Sequence, residues 1–193
     1  MSHLTLVYSA TPAALLARAA APAARPARRE TAEEGFSSKD LIALTCWTQR
    51  SDAHGYRYQA LDPISGEAWP ALPDAFSTLA TQAAAEAGFA DFKPDACLIN
   101  TYAPGTKMGL HQDRDEHDFA QPIVSVSLGL PAVFLFGGPK RTDKPRRLRL
   151  IDGDVVVWGG HARLAFHGVA PLADGLHGVW GQRRVNLTFR CAA

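Results

Sequence analysis

Beyond residue 95 the chain reads as six short β-type runs separated by Gly, Pro and Asp, and no other feature limits its possible folds so strongly. The runs are ACLINTYA (96–103), QPIVSVSLG (121–129), AVFLFG (132–137), RRLRLI (146–151), DVVVWG (154–159) and RRVNLTFR (183–190). Regular short strands with turn residues between them predict a sandwich or barrel. Ahead of them, ALPDAFSTLATQAAAEAGF spaces Phe76, Leu79, Ala80, Ala83, Ala84 and Ala87 at helical intervals, with Asp74 placed as N-cap and Gly88 as stop. One amphipathic helix packed outside the strands is expected.

A chain of 193 residues with 47% apolar and 20% charged content is expected to form one soluble domain with a substantial core. It holds no apolar run long enough to span a bilayer. A net charge of +1 argues neither for nor against a nucleic-acid partner, so local patches matter more than the sum. Cys46, Cys97 and Cys191 are widely spaced and odd in number, as free thiols in a reducing compartment would be. Residues 1–29 lack Asp and Glu and carry Arg18, Arg25, Arg28 and Arg29 among alanines, a composition shared with transit peptides. An Ala/Pro/Arg-biased tail is the plainer reading, and the expected location is cytoplasmic. AAAPAARPARRE (19–30) predicts at most a short helix followed by flexible chain.

Strand parity shows where chemistry can lie, because residues i and i+2 share a face. RRVNLTFR alternates Arg184, Asn186, Thr188 and Arg190 with Val185, Leu187 and Phe189. If the apolar face meets a core, the polar face meets either water or a polar cavity. CLINTYA repeats the pattern with Asn100 and Tyr102. Arginines in such a cavity need anionic partners, since an unpaired buried charge is costly. Their planar forks suit carboxylates, so the pattern points to a pocket for a small acid.

LHQDRDEHD (110–118) crowds two histidines and four carboxylates into nine positions. His111 and Asp113 project the same way if the chain is extended, and an H-x-D pair supplies two ligands of the facial triad on non-haem iron(II). The third would be a distant histidine, with His161, His167 and His177 as candidates. His167, in RLAFHGV, has the apolar flanks of a buried strand-end ligand. Glu116, His117 and Asp118 are expected to form a solvated turn.

Taken together, CLINTYAPGTKMGLHQDRDE, PIVSVSLGLPAVFLFGG, GDVVVWGG with RLAFHG, and RRVNLTFR resemble the AlkB family of Fe(II)/2-oxoglutarate-dependent dioxygenases, of the bacterial alkylation-repair type, over about residues 47 to 190. The resemblance implies a mainly β fold with flanking helices around a double-stranded β-helix (jelly-roll) core. It further implies a poorly matched segment 1–40 and a single dioxygenase domain over 41–193. Within that domain a nucleotide-recognition lid would span about 41–70 and the core about 95–190. It makes His111, Asp113 and His167 the iron ligands and catalytic centre. Arg184 would bind the distal carboxylate of 2-oxoglutarate, with Asn100, Tyr102, Asn186 and Arg190 around the rest. Trp47 would stack on an extruded base, Asp115 would contact its exocyclic amine, and Tyr56, Lys107 and Arg141 would face the nucleic-acid backbone.

The activity implied is oxidative demethylation of N1-methyladenine and N3-methylcytosine, using Fe(II), 2-oxoglutarate and O2, on single- or double-stranded DNA and on RNA. A monomer is expected, with no membrane partner. KRTDKPRRLR (140–149), with six cations in ten residues, would contact phosphates. The chain departs from the family before Trp47, where LIALTCW stands in place of a Gly-rich turn and a Thr-Asn-Cys-Gly-type run. One extra residue also falls between Trp47 and Tyr56. Because the triad and arginines do not encode the prime substrate, the same chemistry on a protein or small molecule is the alternative reading; a non-catalytic jelly-roll with a structural ligand set is a third, which the complete triad and both arginines argue against.

Overall fold

The structure is a computed structural model that describes residues 4–8, 40–43, 48–52, 55–59, 61 and 66–192. Trp47 and segment 19–30 lie outside the described residues, and Tyr56 is described only as backbone.

Twelve strands and one α-helix are described: β1 (Leu4–Tyr8), β2 (Asp40–Ala43), β3 (Thr48–Asp52), β4 (Gly55–Gln59), α1 (Asp74–Glu86), β5 (Ala96–Tyr102), β6 (Met108–His111), β7 (Ile123–Gly129), β8 (Ala132–Phe136), β9 (Arg146–Leu150), β10 (Asp154–Trp158), β11 (His167–Val169) and β12 (Arg184–Arg190). All pairings are antiparallel. A six-stranded sheet runs β1-β10-β7-β12-β5-β2, a four-stranded sheet β6-β11-β8-β9, and β3 and β4 form a two-stranded sheet among the described residues.

The two larger sheets form the jelly-roll. Tyr102, Ile123, Val156 and Trp158 of the larger sheet share one buried cluster with Phe134, Phe136, Leu150 and Val169 of the smaller. The opposite face of the larger sheet carries Val185, Leu187, Phe189, Cys97, Ile99, Val124 and Val126 and is covered by α1. Phe76, Ala80, Ala83 and Ala84 of α1 are the residues buried there, so the helix packs outside the strands as its periodicity predicts. Phe76 meets Phe189 edge to face, with ring centroids 5.8 Å apart.

The helix ends as expected but starts differently. Gly88 adopts φ 93° and donates to Ala85 O at 3.0 Å, while Phe89 N donates to Ala84 O at 2.8 Å. Those two bonds are a Schellman stop, which a left-handed glycine permits without a Cβ penalty. At the other end the N-cap is Pro73, with no side-chain capping bond, and Asp74 is the first helical residue. Its carboxylate lies in the first turn, where the helix dipole favours negative charge, rather than in the capping position.

The six expected strands form within two residues of their predicted ends. β6 and β11 are additional, with four and three residues, and so are β1 to β4 near the start of the chain. β12 is buried along its whole length because both of its faces are covered. Its odd residues face α1, and its even residues face the space between the sheets.

Candidate active site

The site lies where β6 and β11 meet in the smaller sheet, opposite the polar face of β12. His111, the last residue of β6, is the register partner of His167, the first residue of β11. Pairing of two short strands thus brings together residues far apart in sequence, with ring centroids 4.4 Å apart. Asp113 follows just past the end of β6. Its carboxylate lies 3.7 Å from His111 Nε2 and 3.5 Å from His167 Nε2. One ligand atom from each of the three residues lies within 4.8 Å of the others.

The hydrogen bonds of the two rings fix their protons. His111 Nδ1 lies 3.0 Å from Gly109 O, and His167 Nδ1 lies 3.0 Å from Ala165 O. A carbonyl only accepts, so each Nδ1 must donate, and in the neutral ring Nε2 then carries the lone pair on the side of the carboxylate. Two imidazole lone pairs and a carboxylate without a proton between them are a cation site. Asp113 Oδ2 lies 2.9 Å from Arg190 Nη2 and 3.5 Å from His167 Nε2, so the carboxylate is held by cationic and ring partners together. Burial pushes the Asp113 carboxyl up, but Arg190 and His167, followed by His111, outweigh it and hold it well below the usual carboxylate range. Burial and then the nearby His167 lower the His111 pKa, so its ring stays neutral. The donor set therefore fits iron(II), with backbone carbonyls orienting both histidines.

His167 is the member of the histidine trio that the fold selects. His161 is exposed in a short 3-10 turn (Gly160–Ala162), and His177 lies 3.8 Å from Asp152 in a separate loop.

The polar face of β12 borders this centre. Arg184 stands opposite Tyr102, and Asn186 stands opposite both Asn100 and Ser127. Arg184 is 1% exposed, and its guanidinium lies 5.1 Å from the centre of the Tyr102 ring. Nη2 donates to Ser127 Oγ at 3.1 Å, whereas Nε and Nη1 have no hydrogen-bond partner among the described residues. Burial lowers the Arg184 pKa, though a guanidinium remains charged in any protein setting. Burial also raises the Tyr102 pKa, against the opposing pull of Arg184. The Asn100 Oδ1 atom is buried without a partner. A buried cation with two idle donors is a fitting receptor for a carboxylate.

Asn186 and Arg190 are drawn into internal contacts. Asn186 Nδ2 donates to Ser125 Oγ and Val126 O, both at 2.8 Å, and its Oδ1 accepts from Thr188 at 3.0 Å. Arg190 Nη2 lies 2.9 Å from Asp113 Oδ2. Of the residues that the resemblance assigns to base and backbone contact, Asp115 is half-buried, and Lys107 and Arg141 are exposed. Arg141 sits over the Phe166 ring at 5.9 Å, beside His167.

One expectation is corrected. Glu116 is not part of a solvated turn: it is 3% exposed and pairs with Arg163 at 2.9 Å and with Arg190 at 3.5 Å. Arg163 was likewise not expected at the site. The available signal was a single arginine in the otherwise apolar run ARLAF, a position where a charge needs a buried partner.

A jelly-roll that presents two histidines and one carboxylate beside a buried arginine is the framework of a non-haem iron(II) oxygenase. Comparison with known proteins makes the class specific. Residues 7–190 match the model of the 2OG-Fe(II) oxygenase superfamily. The chain is 57% identical over 147 residues to the alpha-ketoglutarate-dependent dioxygenase AlkB of Salmonella typhimurium, covering 76% of this chain and 67% of that one. It is 34% identical over 116 residues to the nucleic acid dioxygenase ALKBH1 of Homo sapiens, covering 60% and 30% of the two chains. The solved structure of OsALKBH1 superposes with a TM-score of 0.68 at 31% identity, over 86% of this chain and 82% of that one. The chain belongs to the 2OG-Fe(II) oxygenase superfamily, as an AlkB-type dioxygenase. Iron(II), 2-oxoglutarate and O2 are the requirements of that family, and this chain spans about two thirds of the length of its AlkB relative.

Proposed function

We propose that the chain removes N-methyl groups from the pairing edge of nucleic-acid bases. Two things support this reading: the His111–Asp113–His167 set, in which Asp113 and His167 are buried, beside the buried Arg184, and the likeness to AlkB and to a nucleic acid dioxygenase. His111, Asp113 and His167 would hold iron(II), which supplies activation of O2 at the expense of 2-oxoglutarate. Three protein ligands leave positions for co-substrate and O2.

Arg184, through its two idle donors, would bind the distal carboxylate of 2-oxoglutarate, with Tyr102 and Asn100 lining the same cavity. Arg190 and Asn186 border that cavity, and Arg190 also braces Asp113. The two sheets exclude water from the reacting methyl group. Oxygen enters its C–H bond, and the resulting hemiaminal breaks its C–N bond to release formaldehyde. The balanced products are the unmodified base, formaldehyde, succinate and CO2.

A methyl on N1 of adenine or N3 of cytosine lies where the partner base would pair. The base must therefore leave the stack, at a cost of a few kcal/mol that is least for a base unable to pair. Stacking on an aromatic residue at position 47 would return about 1–3 kcal/mol. The β3–β4 hairpin stands outside both larger sheets, which supports a lid over its residues 48–59, whereas residues 41–43 of the expected lid pair with β5 in the larger sheet. Asp115 would read the exocyclic amine, and Tyr56, Lys107 and Arg141 would contact the backbone of DNA or RNA, with the protein acting as a monomer in the cytoplasm.

The test is to incubate the protein with iron(II), ascorbate, 2-oxoglutarate and an N1-methyladenine oligonucleotide, as single- or double-stranded DNA or as RNA. Formaldehyde and succinate are expected in equal amounts. Succinate formed only with protein or small-molecule substrates would transfer the activity to those.

A further inference from the structure

The ligand set does not by itself explain why Asp113 stays in place. It begins an irregular run, 112–122, that contains neither helix nor strand. A carboxylate on such a run would ordinarily sample many positions, and a metal site needs it in one.

Arg163 grips this run at three points. Nη1 donates to Asp113 O at 2.7 Å, Nε to Gln121 O at 2.9 Å, and Nη2 to Glu116 Oε2 at 2.9 Å. A further tie joins Gln112 Nε2 to Leu164 O at 2.5 Å. Glu116 passes the connection on, since its Oε1 lies 3.5 Å from Arg190 Nη1, and Arg190 Nη2 meets Asp113 Oδ2 at 2.9 Å. The contacts close a ring that starts at the main chain of Asp113 and returns to its carboxylate. Two arginines and two carboxylates balance within it. All four are buried, so the mutual pairing is what makes their burial tolerable.

The ring also spans the ligand set. Arg163 directly follows the 3-10 turn Gly160–Ala162 and precedes His167 on the same stretch of chain. It therefore ties the segment bearing His111 and Asp113 to the segment bearing His167.

We propose that Arg163 and Glu116 are a positioning pair for the metal centre. They fix the Asp113 carboxylate relative to His167 and hold Arg190 against it, so that the site is arranged before metal enters. The proposal rests on the reading of His111, Asp113 and His167 as the ligands. Partners of this kind behind metal ligands affect affinity by about 10- to 100-fold when lost.

The experiment uses metal-free protein titrated anaerobically with Co(II), followed by its visible d–d absorption, with folding checked by circular dichroism. Arg163→Lys keeps the charge but loses the three-pronged fork, and Glu116→Gln keeps the shape but loses the charge. Each is expected to fold, to bind Co(II) about 10- to 100-fold more weakly, and to shift the absorption envelope. Wild-type affinity and spectrum in a folded variant would overturn the proposal. So would failure of both variants to fold, which would make the pair a structural element alone. Asp113→Ala in the same titration isolates the underlying reading: if it retains Co(II), or the wild type binds none, the ligand assignment itself falls and the positioning role with it.

Discussion

Arg184 carries a full charge at a position 1% exposed, and the described residues satisfy only part of it. Ser127 Oγ takes one donor, and two others have no protein partner. A hydrogen bond to a charged group contributes about 1.5–3 kcal/mol, so losing the arginine should weaken the co-substrate far more than the metal. Arg184→Gln is expected to raise the KM for 2-oxoglutarate about 10- to 150-fold while Co(II) binding to the metal-free protein stays at the wild-type value. An unchanged KM would remove Arg184 from that role. Glu116 shows the opposite case, a residue whose sequence context misleads. The charges of EHD (116–118) look solvated because charged runs usually are, and only the distant Arg163 and Arg190 reveal that Glu116 turns inward.

Among the elements, β6 and β11 matter most and are the least visible in the sequence. They hold four and three residues and contain Gly109 and Gly168, too little for alternation to register. Their existence depends on pairing with each other and with β8. The two glycines have different tasks. A Cβ on Gly168 would come 2.6 Å from Met108 O and 3.0 Å from Gly109 O, whereas one on Gly109 meets nothing within 4 Å. Gly168→Ala should therefore push apart the strands that carry the two histidines, costing about 1–3 kcal/mol. That corresponds to a thermal midpoint lowered by roughly 2–12 °C in a chain of this size. Gly109→Ala should leave the midpoint within about 1–2 °C, and equal losses from both would mean the close approach is not real. By contrast β5, β7, β8, β9, β10 and β12 were legible because each is long enough to alternate or to run apolar. The polar faces of β5 and β12 were legible by parity, and the structure buries Asn100, Tyr102, Arg184, Asn186 and Arg190 there. Among the three distant histidines, the apolar flanks of His167 and the family resemblance single it out in the sequence, and the register of β11 on β6 sets it opposite His111.

At the scale of the whole molecule, the near-neutral charge conceals an uneven surface. β9 is the outer strand of the smaller sheet, and its exposed Arg146, Arg147 and Arg149 continue the cations of the preceding turn. Charge on an outer strand also discourages edge-to-edge association, so this basic strip has a structural use whether or not it meets phosphate. The rim assignment can be tested separately. Lys107→Ala and Arg141→Ala should each lower the slope of log affinity against log salt by about 0.7 for a methylated single strand, with kcat unchanged. An unaltered slope would take that residue off the phosphate backbone. The architecture has another consequence, this time for biosynthesis. β12 sits between β7 and β5 at the centre of the larger sheet, yet it is the last of the described strands in chain order. Until residues 184–190 have left the ribosome, β5 and β7 have no mutual partner and each offers an open edge. Arg184 arrives on the same strand that closes the sheet. The residue proposed to receive 2-oxoglutarate is therefore delivered only in the step that joins β5 to β7.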